Sequence, residues 1–197
     1  MNDYAVYPIS DVAISFGEDF VRDLAGRFSC GRNDEVDAFL RSNALEFTKR
    51  MISMTMLVFE RGQQRCVGYF TLAHKPLSMP LSALNKTQLR RLARFAKPDA
   101  DGRSCTLSAF LVAQIGKNRN VENGRLVSGA KLLELAKDSI RVAQARVGGQ
   151  VVFLEMEQGN AKLAKFYADN GFYKFGARNT VEDGKPITYD QLFLFLK

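Results

Sequence analysis

Apolar positions recur along the chain with two periods, and the changes of period mark its elements. Val12, Ile14 and Phe16 alternate, which predicts a strand or sheet edge within Asp11–Phe20. Phe28-Ser29-Cys30-Gly31 reads as a turn. Val36, Phe39, Leu40, Ala44 and Phe47 then follow helical spacing, with Asn33 or Asp34 in the N-cap place. Met54–Glu60 and Cys66–His74 are strand-like and joined through Arg61-Gly62-Gln63-Gln64, which predicts an antiparallel hairpin.

Lys75–Arg103 interrupts this pattern. Pro76, Pro80 and Pro98 bracket a predicted helix, Leu81–Ala96, whose apolar face is Leu81, Leu84, Leu89, Leu92 and Phe95. A buried strand is expected over Cys105–Ile115, a loop over Gly116–Gly124, and a long helix from Ser128 to Arg146 stopped by Gly148-Gly149. Val151–Leu154 is a continuous apolar run, suited to a central strand. Ala161–Asp169 predicts a second helix ended by Asn170-Gly171, with closing strands Phe172–Ala177 and Tyr189–Leu196. The order predicts an α/β, or α+β layered, fold: a mixed, mostly antiparallel central sheet flanked by helices. The length predicts a single domain, 1–197, with a basic helical insert at about 76–103.

Composition narrows the class. Hydrophobic residues make up 46% and charged residues 25%, the balance of a soluble globular protein, which excludes a disordered or collagenous chain. No apolar run reaches the roughly 20 residues of a membrane span. Met1–Ile9 lacks the basic start of a signal peptide, so a cytoplasmic location away from membranes is expected. Cys30, Cys66 and Cys105 are scattered, and with His74 as the single histidine there is no metal-ligand spacing. Lys and Arg number 28 against 21 acidic residues, a net +7, which favours polyanionic partners.

The chemistry is concentrated after Val151–Leu154. Asn160 opens the second helix, Phe166-Tyr167 follows two turns on, and Gly171-Phe172 ends it. This stretch resembles the signature of the GCN5-related N-acetyltransferase (GNAT) family. The resemblance implies acetyl-CoA as cosubstrate, with no metal. Asn160 would offer its amide to the pantetheine arm, and Tyr167 would protonate the departing thiolate as general acid. Leu111–Gly129 falls where the family places its central strand and pyrophosphate loop, at a helix N-terminus suited to phosphates. Gly129, Leu132 and Leu133 match the family's loop pattern, whereas Val127 replaces its first glycine and Gly124 stands where Arg or Gln belongs. Cofactor contacts are therefore expected from Ile115, Gly116, Lys117, Arg125, Ser128, Gly129, Ala130 and Asn160. Lys117, Arg119, Arg125 and Lys131 are candidates for the missing positive charge. An amide near Ile115 would hold the oxyanion.

Phe28-Ser29-Cys30-Gly31, Val36–Arg41 with Ala44, and Val67–Leu72 further resemble a branch that includes toxins of toxin–antitoxin pairs acting on aminoacyl-tRNA. That branch implies an amine acceptor, charged tRNA among the candidates, and as candidate partners an antitoxin protein and a second copy of the chain. Glu155 or Glu157, at the end of the apolar strand, is placed to act as base. Arg90, Arg91, Arg94 and Lys97 are placed to grip RNA phosphates. Cys30 reads as a packed small hydrophobe and His74 as structural or solvent-facing. Lys117-Asn118-Arg119 suits either phosphate binding or loop solubility. The competing reading is a non-catalytic basic nucleic-acid-binding or regulatory module on the same fold.

Overall fold

The computed structural model describes residues 3–31, 33–63, 65–121, 127–182 and 184–196. In chain order the elements are β1 (Tyr4–Pro8), α1 (Ile9–Phe16), α2 (Glu18–Arg27), α3 (Asp34–Ser42), α4 (Ala44–Lys49), β2 (Met54–Glu60) and β3 (Arg65–Pro80). A single 3-10 turn (Leu81–Ala83) leads to α5 (Lys86–Leu92), β4 (Ser104–Lys117), α6 (Gly129–Val147), β5 (Val151–Glu157), α7 (Ala161–Asp169), β6 (Tyr173–Glu182) and β7 (Lys185–Phe195). The strand order is β1-β2-β3-β4-β5-β7-β6. β4 and β5 pair in parallel at Phe110↔Val152 and Leu111↔Phe153, and the β1–β2, β2–β3, β5–β7 and β6–β7 pairs are antiparallel. The expected mixed, mostly antiparallel sheet flanked by helices is the fold observed. No helix among the described residues is long and apolar enough to cross a membrane.

Two compact units divide the chain. The first, Met1–Ala73 with Val112–Arg146, is layered because successive strand residues point to opposite faces. Leu57 and Tyr69 pack with Ile9, Val21, Ala25, Phe28 and Leu40 of the N-terminal helical segment. Their neighbours Val58 and Phe70 pack instead with Leu132, Leu135 and Ala136 of α6. The second unit, His74–Leu111 with Val147–Lys197, has its own core of Leu77, Met79, Leu92, Val151, Phe153, Phe175 and Phe193.

Four expectations are corrected. Asp11–Phe20 is helical, in α1 and α2, because Ile9 and Val12 are the buried pair of α1 at helical spacing while Ile14 and Phe16 are exposed. The helix expected after Asn33 is two helices, broken at Asn43, whose φ of −120° leaves the helical region. β3 runs on through Pro76 to Pro80, with Leu77 and Met79 buried and Pro76, Ser78 and Pro80 exposed in alternation with them. The basic helix is consequently short: α5 starts only at Lys86, where Asn85 and Gln88 form a reciprocal capping box, and ends at Leu92.

Candidate functional site

In the first unit the end of β4 is fixed from behind by the Phe28–Gly31 turn. The Phe28 ring meets Tyr69 edge-on at 5.3 Å. Asp37, buried in α3, accepts from the Cys30 amide at 2.8 Å and the Ser29 hydroxyl at 3.3 Å. The Tyr69 hydroxyl donates to the Val36 carbonyl at 2.6 Å, and burial pushes its phenol far above the ordinary range. Asn118, also buried, ties the strands to this turn. Its Nδ2 donates to the Cys66 carbonyl at 2.9 Å, and its Oδ1 accepts from the amides of Ser29 and Asn120. Asn118 is therefore a structural hub, which leaves Lys117, half-buried, and Arg119, exposed, as the cations of that segment. Cys30 is packed as expected, its thiol donating to the Asn33 carbonyl at 3.0 Å. Burial pushes the Cys66 thiol up to about 12, so it is inert at neutral pH.

Ile115 packs on the α6 side, and Gly116 is buried against Val36, Tyr69 and Phe28. Before α6, Val127 is fully buried among Phe70, Leu132 and Ala136, which accounts for an apolar residue where the family pattern has glycine. Ser128 caps the helix: its hydroxyl accepts from the Lys131 amide at 3.1 Å. Gly129 and Ala130 supply the next amides, at the positive end of a 19-residue helix. Arg125 and Gly124 lie outside the described residues.

In the second unit, Asn160 caps α7, its Oδ1 accepting from the Leu163 amide at 3.0 Å. Gly171, at φ +87°, ends that segment. The intervening turns bury Tyr167, whose ring lies 5.2 Å from Phe166 and 5.7 Å from Phe172. Burial pushes its phenol up to about 12, so it holds its proton throughout the neutral range. Glu155 accepts from Arg178 Nε at 2.9 Å, Arg178 Nη2 at 2.7 Å and Gln191 Nε2 at 2.8 Å. Partial burial pushes its carboxyl up, but the hydrogen bonds from Arg178 and Gln191 outweigh this and the net shift is downward. Such a carboxylate is a weak base. Glu157 is exposed. His74 is exposed too, its ring 4.9 Å from that of Phe110.

Arg90, Arg94 and Lys97 are exposed. Arg91 is not part of that face: it donates to the Leu196 carbonyl and stacks over Phe195, 4.9 Å from the ring centroid. Sequence reasoning missed Arg178 and Gln191 as partners of Glu155, because both come from other strands with no local signal. It missed Asp37 and Asn118 as braces, although both sit within stretches already singled out.

No family model matches the chain, and no curated protein matches it. Solved structures do. AtaT complexed with acetyl-methionyl-tRNAfMet superposes with a TM-score of 0.61 at 19% identity, over 95% of each chain. A tyrosine-to-phenylalanine mutant of AtaT, bound to the C-terminus of the antitoxin AtaR and acetyl-CoA, gives 0.57 at 17% identity, over 98% of this chain and 94% of that one. NAA60 of Arabidopsis thaliana with a bisubstrate analogue gives 0.51 at 10% identity, over 98% of both. The chain has a GNAT-like fold. Within the GNAT-like fold, α6 follows the long central strand β4, and the Asn160–Phe172 motif follows β5, the chain order that the sequence resemblance requires.

Proposed function

We propose that the chain is an acetyl-CoA-dependent N-acetyltransferase. The observation that carries this reading is Tyr167: a buried phenol, protonated at neutral pH, in a helix capped by Asn160 and ended by Gly171 on a GNAT-like fold. In this reading the phosphates of the substrate meet the amides of Ser128, Gly129 and Ala130, with Lys117 and Arg125 supplying charge. The Asn160 amide group, its oxygen engaged by the helix, donates to the pantetheine arm. The acceptor amine, deprotonated to solvent, attacks the thioester carbonyl while a backbone amide at Ile115–Gly116 holds the developing oxyanion. The new C–N bond forms as the C–S bond breaks, Tyr167 hands its proton to the leaving sulfur, and the proton shed by the new amide nitrogen passes through solvent to restore the phenol. Glu155, held ionised by Arg178, contributes a fixed negative charge rather than base catalysis.

Charged tRNA is the acceptor class we favour. The net +7, the exposed Arg90, Arg94 and Lys97, and the likeness of fold to a protein solved with an acetylated aminoacyl-tRNA support it. An antitoxin protein is the corresponding partner, on the likeness to a toxin solved with its antitoxin's C-terminus. The test is thermal unfolding with acetyl-CoA. At about 100 times the dissociation constant, binding adds about 2.7 kcal/mol, or about 5–10 °C for a chain of this size. Tyr167→Phe should keep that shift and lose turnover. No shift at millimolar acetyl-CoA or coenzyme A overturns the reading, and an undiminished rate in Tyr167→Phe overturns the general-acid role of Tyr167.

A further inference from the structure

The first unit carries an open groove of about 1120 Å³ beside β1, α1, α2 and the β2–β3 turn, lined by Tyr7, Phe16, Phe20 and Phe59 together with Arg27 and Arg61. Aromatic rings are ordinarily buried, so exposed ones side by side call for an explanation. Phe16 is 69% exposed, Tyr7 49% and Phe20 40%. The Phe16 and Phe20 rings lie 5.3 Å apart, and Tyr7 and Phe59 lie 6.1 Å apart. The Phe16–Phe20 pair is built by the backbone. Phe16 ends α1, Phe20 lies in the first turn of α2, and the junction is Gly17 at φ +89°, a conformation that L side chains rarely adopt. The arginines stand exposed in the same lining. Arg27 pairs with Asp23, and Arg61 Nε donates to the Tyr4 carbonyl at 3.4 Å; each guanidinium has further N–H donors beyond those contacts.

We propose that this groove binds unpaired nucleotides of an RNA, with bases stacking on Phe16, Phe20 and Tyr7 and phosphates meeting Arg27 and Arg61. The proposal rests on the reading above that the acceptor is an RNA, and it adds a recognition surface to that reading. Bare aromatic faces interleaved with arginines are the equipment of single-strand binding, since every base has a face to stack and every linkage a charge. The volume exceeds the about 300–1,000 Å³ typical of small-molecule pockets and suits an extended segment. Asp11 and Glu60 in the same lining lower its net charge, so stacking carries more of the affinity than phosphate contacts do.

The experiment is fluorescence anisotropy of a labelled single-stranded RNA oligonucleotide with the full chain, as wild type and as Phe16→Ala/Phe20→Ala. Both side chains are exposed, so the variant should fold, and its thermal shift with acetyl-CoA should match that of the wild type. The RNA affinity should fall about tenfold or more. Arg61→Glu should weaken binding and flatten its salt dependence by about one contact. An RNA affinity unchanged in Phe16→Ala/Phe20→Ala, or equal competition by a duplex of the same sequence, overturns the proposal. Absence of the acetyl-CoA shift in the wild type counts against acetyl transfer alone, so the two failures are distinguishable.

Discussion

Gly116 is the tightest packing constraint described on β4, and replacing it with alanine tests the brace behind that strand. A Cβ there would lie 2.6 Å from Val36 Cγ1, 3.2 Å from Tyr69 Cε1 and 3.4 Å from Phe28 Cζ. Carbon atoms rest at about 3.5–4.0 Å, so Val36 must retreat by about 1 Å. Its carbonyl is the acceptor of the buried Tyr69 hydroxyl, which ties the retreat to a hydrogen bond. Overpacking costs about 1–3 kcal/mol, and weakening that bond about 1 kcal/mol. We expect Gly116→Ala to lose about 2–4 kcal/mol by urea denaturation, or about 4–16 °C in Tm. Val36→Ala removes the clashing methyl, so Gly116→Ala/Val36→Ala should be more stable than the sum of the single losses by about 1 kcal/mol or more. Additivity within about 0.5 kcal/mol, the range of independent sites, would refute the clash.

Arg91→Ala should destabilise the chain measurably, because it removes the donor to Leu196 and the stack on Phe195, whereas Arg90→Ala should be neutral in the same melt and weaken only RNA binding. Arg178→Ala should cost stability at neutral pH and progressively less in acid. The Glu155 carboxyl is lowered in the folded state, so its contribution is present above the unfolded value and lost as pH falls through the folded one. A wild-type-to-variant gap in Tm that does not shrink as pH is lowered from neutral through the carboxylate range contradicts that linkage.

Legibility in the sequence followed the range of the signal. α6 was readable because Leu132, Leu135, Ala136 and Ile140 repeat on one face and Gly148-Gly149 stops it, all within 21 residues. The Asn160–Phe172 motif was readable for the same reason: cap, aromatic pair and left-handed stop are local events. α1 was not, because Ile14 and Phe16 alternate with Val12 yet remain in solvent, and nothing local separates an exposed aromatic from a buried one. The β3 extension was hidden by Pro76 and Pro80, although Leu77 and Met79 carried the period-2 pattern between them. At the candidate site, the Arg178–Glu155 contact joins residues 23 apart in sequence and the Asn118–Ser29 contact residues 89 apart. The first is set by sheet register and the second by the docking of the Phe28–Gly31 turn behind β4, and no window of sequence displays either.

The boundary between the two units runs through β3 and β4, so each unit is assembled from two separate lengths of chain. Synthesis therefore completes them at different times. Once Arg146 has been added, the first unit has all its residues, but the second has only His74–Leu111. Leu77, Met79, Leu92 and Cys105 must then wait for Val151, Phe153, Phe175 and Phe193 before they can be covered. With about 50 residues still to come at about 5–20 residues per second, that interval is roughly 3–10 s, long compared with hydrophobic collapse. A nascent chain of this protein thus carries an uncovered apolar half-core for seconds, and chaperone capture should concentrate on lengths between residues 111 and 193.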